Sequence, residues 1–220
     1  MPLDGWIPIL VVPLVAVTAL VVGAVRPSGA LAGLFVGLAL SWGLGWAGFA
    51  MLATLVAIGT LVSERGSRKR DAVQVFSNGG VAALAALAAA AGWEWGGAAA
   101  AGALAAALSD TVASEWGRRF GGEPRLMLLG PRVKSGRDGG MTWLGTCAGV
   151  CFAWPVPLVS MACGGLASFG VLSKVAAAGF AANLVDSALG VRVQKRLGRR
   201  GNDWVNLLAT LVGAAMAALG

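Results

Sequence analysis

The chain consists of long apolar runs separated by short polar segments. Stretches without a charged residue cover positions 5–25, 27–63, 72–93, 139–173 and 204–220. A helix needs about 20 mostly apolar residues to cross the hydrocarbon core of a bilayer, so each of the two longest stretches holds two helices, or one helix and a re-entrant piece. The pattern predicts eight membrane helices, near residues 6–25, 28–43, 46–62, 77–92, 97–113, 141–160, 168–190 and 204–220.

The fold class that follows is all-α: a polytopic membrane helix bundle of about eight transmembrane helices with cytosolic polar loops. We interpret residues 1–220 as a single transmembrane domain. Residues 1–62 hold N-terminal helices of weak signal, whereas residues 63–220 carry the polar motifs. Pro8, Pro13 and Pro27 leave open a half-helix in the N-terminal part, because proline interrupts helical hydrogen bonding.

The composition agrees with a membrane location and narrows the chemistry. Hydrophobic residues make up 57% of the chain, charged residues only 12%, and the mean hydropathy is +0.77. A soluble domain contains about 25% charged residues. The chain has no histidine, which excludes His-based triads, His metal sites and histidine general bases. Carboxylates, Lys, Arg, Ser and Asn remain for any chemistry.

The basic residues predict the orientation of the bundle. Sixteen of the seventeen Lys and Arg residues fall in four loops, at Arg26 and within residues 65–70, 118–137 and 192–200. Basic residues collect in cytosolic loops, so these loops predict one cytosolic face and place both termini on the opposite side. Orientation and attraction to anionic lipid explain the net charge of +7, and we expect no nucleic-acid partner.

Two helices consist almost entirely of small residues, in the stretches GGVAALAALAAAAG and GGAAAAGALAAAL. Small faces let membrane helices approach closely and pack by van der Waals contact. The stretches therefore predict a compact bundle, and they also provide faces on which a homo-oligomer can assemble.

Two carboxylates are predicted at membrane depth. Asp110 lies about 22 Å along a helix from Gly96, short of the roughly 30 Å core, and Asp186 lies inside the seventh apolar segment. A carboxylate at that depth is costly, so each should face the bundle interior and bind a partner. A structural ion pair with Lys174 or a loop arginine is the alternative to a functional role.

Glu115 follows Asp110 by five residues, about 140° around an ideal helix, so the two can reach one ion only if the helix ends between them. Gly117, Gly121 and Gly122 make such an end plausible. Carboxylate oxygens suit Mg²⁺, which keeps some of its waters and binds substrate phosphates. We take Asp110, Glu115 and Asp186 as candidate Mg²⁺ ligands, and other geometries stay open.

The loop GPRVKSGRDGG at residues 130–140 is a candidate phosphate-binding segment. Three cations within six residues, flanked by glycines, can surround a polyphosphate with point charges and backbone N–H groups. The loop leads into the sixth helix, whose N-terminus adds a positive dipole end. A solvated membrane loop is the plain alternative. The candidate residues are Arg132, Lys134, Ser135, Gly136, Arg137, Gly139 and Gly140.

Further polar residues cluster where helices begin on the predicted cytosolic side. Capping explains Ser77, Asn202 or Asp203. It does not explain the amides of Asn78, Asn183 and Asn206 together with two deep acids. The remaining candidates near the fourth helix are Arg70, Asp71 and Gly79.

With these residues in view, the chain resembles a family of integral membrane proteins that was long catalogued as a domain of unknown function. The family includes transmembrane protein 19 and the plant and cyanobacterial phytyl-phosphate kinases. The matching stretches are RKRDAVQVFSNGGVAAL at 68–84, SDTVASEWG at 109–117, GEPRLMLLGPRVKSGRDGGMTWLG at 122–145, NLVDSALGVRVQ at 183–194 and NDWVNLLAT at 202–210. The loop departs from the usual Pro-Gly-Thr-Ser-Gly-Gly run of the family by its extra Arg137 and Asp138.

The resemblance implies a nucleotide-dependent kinase, with CTP favoured, that converts an isoprenyl or phytyl monophosphate to the diphosphate. Asp110, Glu115 and Asp186 would then bind Mg²⁺, with Asp71 as a fourth candidate. Arg70, Arg132, Lys134 and Arg137 would hold phosphates, and Asn78, Asn183 and Asn206 would support them. Three alternatives remain: a CDP-lipid cytidylyltransferase, a lipid or small-molecule transporter, and a structural bundle with incidental loop charges.

Overall fold

The computed structural model describes residues 7–64, 69–192 and 194–219, and within them it confirms an all-α membrane bundle. Arg65 and Arg68 of the predicted basic loops lie outside the described residues, as do the predicted helix ends at positions 6 and 220. The helices are α1 (Ile7–Val21), α2 (Pro27–Val62), α3 (Ala72–Ala90), α4 (Gly96–Phe120), α5 (Trp143–Phe152), α6 (Pro155–Ala162), α7 (Phe169–Arg192) and α8 (Gly201–Leu219), with a short 3₁₀ helix at Gln194–Arg200.

Within the described residues, six helical segments are long and apolar enough to cross a membrane: α2, α3, α4, α5 together with α6, α7 and α8. The shorter α1 is also apolar. Most side chains of α1, such as Leu14 and Val17, are exposed. In a membrane bundle such residues face lipid.

Helix α2 is a hairpin of two antiparallel halves. Gly45 interrupts it with φ of 57° and ψ of −134°, a conformation open to glycine but not to residues with a Cβ. Gly37 of the first half contacts Leu52 of the second, and Gly29 and Gly59 both lie against Arg70. The chain therefore returns to the face from which it started, and the predicted helices 28–43 and 46–62 are the two halves of α2.

Three helix boundaries differ from the predictions. Helix α3 begins at Ala72 rather than near 77, because the Asp71 side chain accepts from the backbone of Val73 and Gln74 and the Gln74 side chain bonds back. Helix α4 continues to Phe120 rather than ending near 113. The predicted helix 141–160 is broken at Ala153 and Trp154, before Pro155, which cannot donate a helical hydrogen bond.

Helix α4 is the centre of the bundle, and α2, α3, α5, α7 and α8 pack around it. Its residues from Ala99 to Ser109 are buried. Close approach depends on small residues: Gly102 lies on Gly213 of α8, and Gly179 of α7 lies on Ala105. Because a membrane interior offers little hydrophobic driving force between helices, this close van der Waals packing stabilises the bundle.

The polar loops meet at one end of the bundle, which we call the basic face: residues 22–26, 63–64, 69–71, 117–142, 190–192 and 194–206. The Arg26 N–H donates to the Arg70 carbonyl, and the Arg200 guanidinium bonds Asp71. The loop after α4 contains a short antiparallel pair, β1 (Arg125–Leu126) with β2 (Gly140–Met141). These contacts assemble loops that are distant in sequence around one site.

Candidate functional site

A cavity of about 890 Å³ opens at the basic face, between the ends of the helices. It is lined by α2, α3, α4, α5, α7 and α8 and by the loops that follow α1 and α4. Twelve of the predicted site residues line it: Arg70, Asn78, Asp110, Glu115, Ser135, Gly136, Arg137, Gly139, Gly140, Asn183, Asp186 and Asn206.

The two membrane-depth carboxylates lie on facing helices of this cavity. Asp110 on α4 and Asp186 on α7 are within electrostatic reach of each other. Ser114, one turn after Asp110 on α4, lines the same cavity. With its NH₂ group as donor, the Asn206 amide reaches Asp186 Oδ1 at 3.2 Å and the Asn202 carbonyl at 3.1 Å. The Asn206 amide thus holds Asp186 toward the cavity.

A buried hydrogen-bond chain fixes the floor of the cavity. The Asn183 Nδ2 group donates to Ser109 Oγ at 3.1 Å, and the Ser109 hydroxyl donates to the Gly149 carbonyl at 2.9 Å. Ser109 is 0% exposed and Asn183 only 3%. A Cβ on Gly149 would lie 2.7 Å from Asn183 Nδ2. The chain ties α4, α5 and α7 together directly beneath Asp110 and Asp186.

Glu115 does not join the two aspartates in this structure, so the three predicted ligands do not lie together as one metal-binding group. Helix α4 runs unbroken through both residues, which keeps Asp110 and Glu115 about 140° apart around it. Glu115 instead accepts from the Arg118 guanidinium at 2.7 Å. Throughout residues 7–64, 69–192 and 194–219, no three Asp, Glu or Cys side chains lie together as a metal-binding group.

The donor set around the two aspartates suits Mg²⁺. This ion is commonly bound through one or two carboxylates, several waters and the phosphates of a substrate, rather than by a full cage of protein ligands. Asp110 and Asp186 supply two carboxylates, and the polar groups that surround them can bind coordinated water. The residues that would hold Mg²⁺ here are therefore Asp110 and Asp186.

Arg70 is a cation of the cavity wall that is anchored to the end of α2. One of its Nη atoms donates to the Gly59 carbonyl at 3.1 Å and to Ser63 Oγ at 3.3 Å. Partial burial lowers the pKa of the Arg70 guanidinium, and the Glu115 carboxylate opposes this effect. An arginine stays protonated at physiological pH all the same, so the cavity wall carries a fixed positive charge.

Four predicted site residues lie outside the cavity lining. Asp71 caps α3 and pairs with Arg200, and Gly79 packs on Val36. Arg132 pairs with Glu123 at 3.0 Å, and both it and Lys134 line a separate outer groove. Asp71 and Gly79 therefore serve local structure, and Arg132 and Lys134 belong to the outer surface of the loop.

The loop that lines the cavity is fixed to α7 at one glycine. Gly139 has φ of +71°, and a Cβ there would overlap the Val191 side chain and approach the Ser187 carbonyl to 2.9 Å. The Thr142 side chain then caps α5 by accepting from the Gly145 N–H at 3.1 Å. These contacts position Ser135, Gly136 and Arg137 at the rim of the cavity.

The structure adds lining residues that the sequence prediction missed. Among them are the hydroxyl residues Ser114, Thr142, Thr146 and Ser187. Helical spacing could have indicated Ser114, four residues after Asp110, because such positions share one helix face. No local signal marks Thr146 or Ser187, since isolated hydroxyl residues are common in membrane helices and often bond their own backbone.

Comparison with known proteins identifies relatives but no structural template. The sequence model of a family described as integral membrane protein DUF92 matches residues 10–214. An uncharacterized membrane protein of Methanocaldococcus jannaschii is 34% identical over 182 residues, covering 77% of this chain and 74% of that protein. An uncharacterized membrane protein of Synechocystis sp. is 31% identical over 192 residues, covering 79% of this chain and 74% of the relative. No solved structure matches.

Proposed function

Since this chain belongs to the DUF92 family of integral membrane proteins, we propose that it is a lipid phosphate kinase acting at the membrane interface. It would transfer the terminal phosphoryl group of a nucleoside triphosphate, with CTP favoured, to an isoprenyl or phytyl monophosphate. The similarity to transmembrane protein 19 and the phytyl-phosphate kinases supports this choice of donor and acceptor. The concentration of arginines in the loops supports a cytosolic position for the site.

One observation carries the proposal: two carboxylates at membrane depth share a cavity with arginines on separate walls. Asp110 and Asp186 lie within the bundle, whereas Arg70 and Arg137 line the same cavity from two different loops. A site that transfers phosphoryl groups needs both kinds of charge, because the phosphates are anions and the metal that accompanies them is a cation. A purely structural bundle has no need to gather them in one cavity.

The chemistry that the protein must perform is modest. A phosphate monoester is already anionic near neutral pH, because its second pKa is about 6. An oxygen of the lipid phosphate attacks the terminal phosphorus in line, the bond from that phosphorus to the bridging oxygen breaks, and the nucleoside diphosphate leaves. No proton needs to be removed from the nucleophile, which is consistent with a chain without histidine.

The residues would then share positioning and charge neutralisation. Arg70 and Arg137 would bind phosphate oxygens, and Asp110 and Asp186 would hold Mg²⁺. When bound, Mg²⁺ would offset the negative charge of the phosphates. Asn206 would orient Asp186. The depth of the aspartates limits the access of water, which favours transfer to the lipid over hydrolysis.

The direct test is a reconstituted reaction. Purified protein in lipid nanodiscs is incubated with geranylgeranyl or phytyl monophosphate, Mg²⁺ and each nucleoside triphosphate in turn, and the lipid products are separated. We expect the lipid diphosphate and a nucleoside diphosphate. Inorganic diphosphate with a nucleotide-linked lipid would indicate a cytidylyltransferase instead, and the absence of turnover with every pair would refute the kinase proposal.

A further inference from the structure

We infer that the cavity has two separate mouths, one for the lipid phosphate and one for the nucleotide. Arg70 lies beside the first mouth, and Arg137 lies at the second. The inference rests on the proposed function and extends it, because it assigns a subsite and a route to each substrate. It starts from residues that line the cavity and are also exposed on the outside of the molecule.

The first mouth lies at the turn that follows α1. Val22 lines the cavity and is nevertheless 69% exposed, and Thr60 of α2 likewise lines it while being exposed. Val22 continues the apolar, outward-facing surface of α1, where Val21 is 79% exposed. The cavity therefore reaches the lipid-facing surface at this point. An amphiphile can lie there with its chain against α1 and its head group inside the cavity.

Cations stand beside this first mouth. The Lys69 ammonium lies against the turn at Gly23. The Arg70 guanidinium uses one Nη atom to bind Gly59 and Ser63. Within the described part of the chain, no hydrogen bond uses its other two nitrogens. An anchored guanidinium with unused donors is suited to a phosphate monoester.

The second mouth lies in the loop between α4 and α5. Ser135, Gly136 and Arg137 line the cavity and are exposed, but they lie outside the membrane helices. Gly136 has φ of +81° with no atom near the position of a Cβ, so the loop is open there. Among the described residues, no hydrogen bond or ion pair engages the Arg137 guanidinium. A water-soluble polyphosphate can reach this mouth without entering lipid.

The arrangement places the transfer point between the mouths. Asp110 and Asp186 lie deeper in the bundle than either loop, on helices that both substrates approach. The lipid phosphate enters from the Arg70 side and the terminal phosphate of the nucleotide from the Arg137 side. In-line displacement requires attacking and leaving oxygens on opposite sides of the phosphorus, and substrates that enter beside different walls of the cavity can meet in this way.

Equilibrium binding without turnover tests the assignment. Kd values are measured in nanodiscs for geranylgeranyl monophosphate and, separately, for the β,γ-imido analogue of CTP with Mg²⁺. We expect Arg70→Gln to raise the Kd of the lipid phosphate by about tenfold or more and the Kd of the nucleotide by less than about twofold. The reason is that a charge-assisted hydrogen bond is lost at one subsite only. Arg137→Gln should show the reverse selectivity. Arg119→Gln, at an exposed arginine near the end of α4 that lies outside the cavity lining, is the matched control and should change neither Kd.

A second pair of variants avoids any loss of folding contacts made by Arg70. Val22→Trp and Ser135→Trp each narrow one mouth at an exposed position. Each variant should weaken the binding of only the ligand that enters through that mouth. The two-mouth assignment is overturned if both arginine variants weaken the same ligand, or if either tryptophan weakens both. If the wild-type protein binds neither ligand, both the proposed function and the two-mouth assignment are refuted. If it binds both ligands but the variants show no selectivity, only the two-mouth assignment is refuted.

Discussion

At the scale of single residues, the cavity depends most on Asp110 and Asp186. Replacing either with Asn keeps the shape of the side chain and removes its charge. We expect the rate of lipid diphosphate formation to fall by about 100-fold or more, because the phosphates lose their divalent counter-charge. The melting temperature should stay the same or rise, since the two acids are like charges held at membrane depth. Activity and thermal unfolding in the same nanodiscs check both parts.

Two matched carboxylates serve as controls for this prediction. Glu123→Gln removes an exposed charge in the outer groove and should leave the rate unchanged. Glu115→Gln removes a cavity carboxylate that is paired with Arg118. We therefore expect this variant to lower the reaction rate, but by less than the Asp110 and Asp186 variants do. If the Glu115 variant is as inactive as the Asp110 variant, the result would support three carboxylate ligands, an arrangement that the unbroken helix α4 argues against.

The residues that sequence reasoning found and missed differ in a physical way. Asp110, Asp186, Asn183 and Asn206 were predictable because polar groups inside apolar runs are costly and need a reason. Asp71 and its neighbours lie at the boundary of a run, where capping and ligand binding use the same residue types. Only the observed bonds to Val73 and Gln74 identify Asp71 as a cap.

At the scale of elements, the cap of α3 gives a prediction with a pH dependence. The Gln74 backbone N–H, followed by the Arg200 charge, lowers the pKa of Asp71 in the folded protein, although burial opposes this shift. The ionised form therefore contributes stability that is complete above the unfolded pKa, about 3.9, and is lost as the pH falls through the lower folded pKa. The difference in melting temperature between wild type and Asp71→Asn should be constant above about pH 5 and shrink below about pH 4.

Asp71→Ala removes the cap as well as the charge and should cost about 1 kcal/mol more than Asp71→Asn, because Asn still accepts hydrogen bonds at an N-cap. A melting-temperature difference that does not change with pH, or equal stability of the two variants, would show that the α3 cap is not what Asp71 contributes.

The loop between α4 and α5 depends on its contact with α7 at Gly139. We expect Gly139→Ala to displace this loop and reduce activity by about tenfold or more, because the new methyl group overlaps Val191 in a backbone conformation that already disfavours a side chain. Gly122→Ala in the same loop is the matched control, because Gly122 has a similar backbone conformation (φ of +69°) but open space around it. Limited proteolysis of residues 121–142 measures loop docking directly. Equal cleavage and equal activity in the two variants would mean that strain, not the α7 contact, governs the loop.

Element boundaries show where periodicity stops being informative. The hairpin of α2 was predictable because its apolar run is far longer than one membrane crossing. The continuation of α4 to Phe120 was not, since Gly117 suggests a helix end. In the structure that glycine contacts Gly145 and Thr142, and it serves helix packing instead of termination.

At the scale of the whole molecule, hydropathy predicts the number and order of the helices but not their neighbours. All the apolar segments are compatible with a lipid environment, so their average hydropathy does not predict that α4 lies at the centre. Its Ala- and Gly-rich sequence is consistent with that position, because only small side chains allow five helices to approach one axis. The shared cavity follows from this packing, since α3, α4, α7 and α8 each bring one polar end to the same face.

The contact of α4 with α8 tests whether packing at mid-membrane sets the geometry of the cavity. A Cβ on Gly102 would lie 2.6 Å from Ala217 and overlap the Gly213 carbonyl. Gly102→Val should destabilise the bundle by about 1–3 kcal/mol. It should also reduce activity, because α8 carries Asn206, which holds Asp186. Gly33→Val, where no atom lies within 4 Å, is the control. If the Gly102 variant is less stable but fully active, the cavity tolerates movement of α8, and the polar loops alone maintain the site.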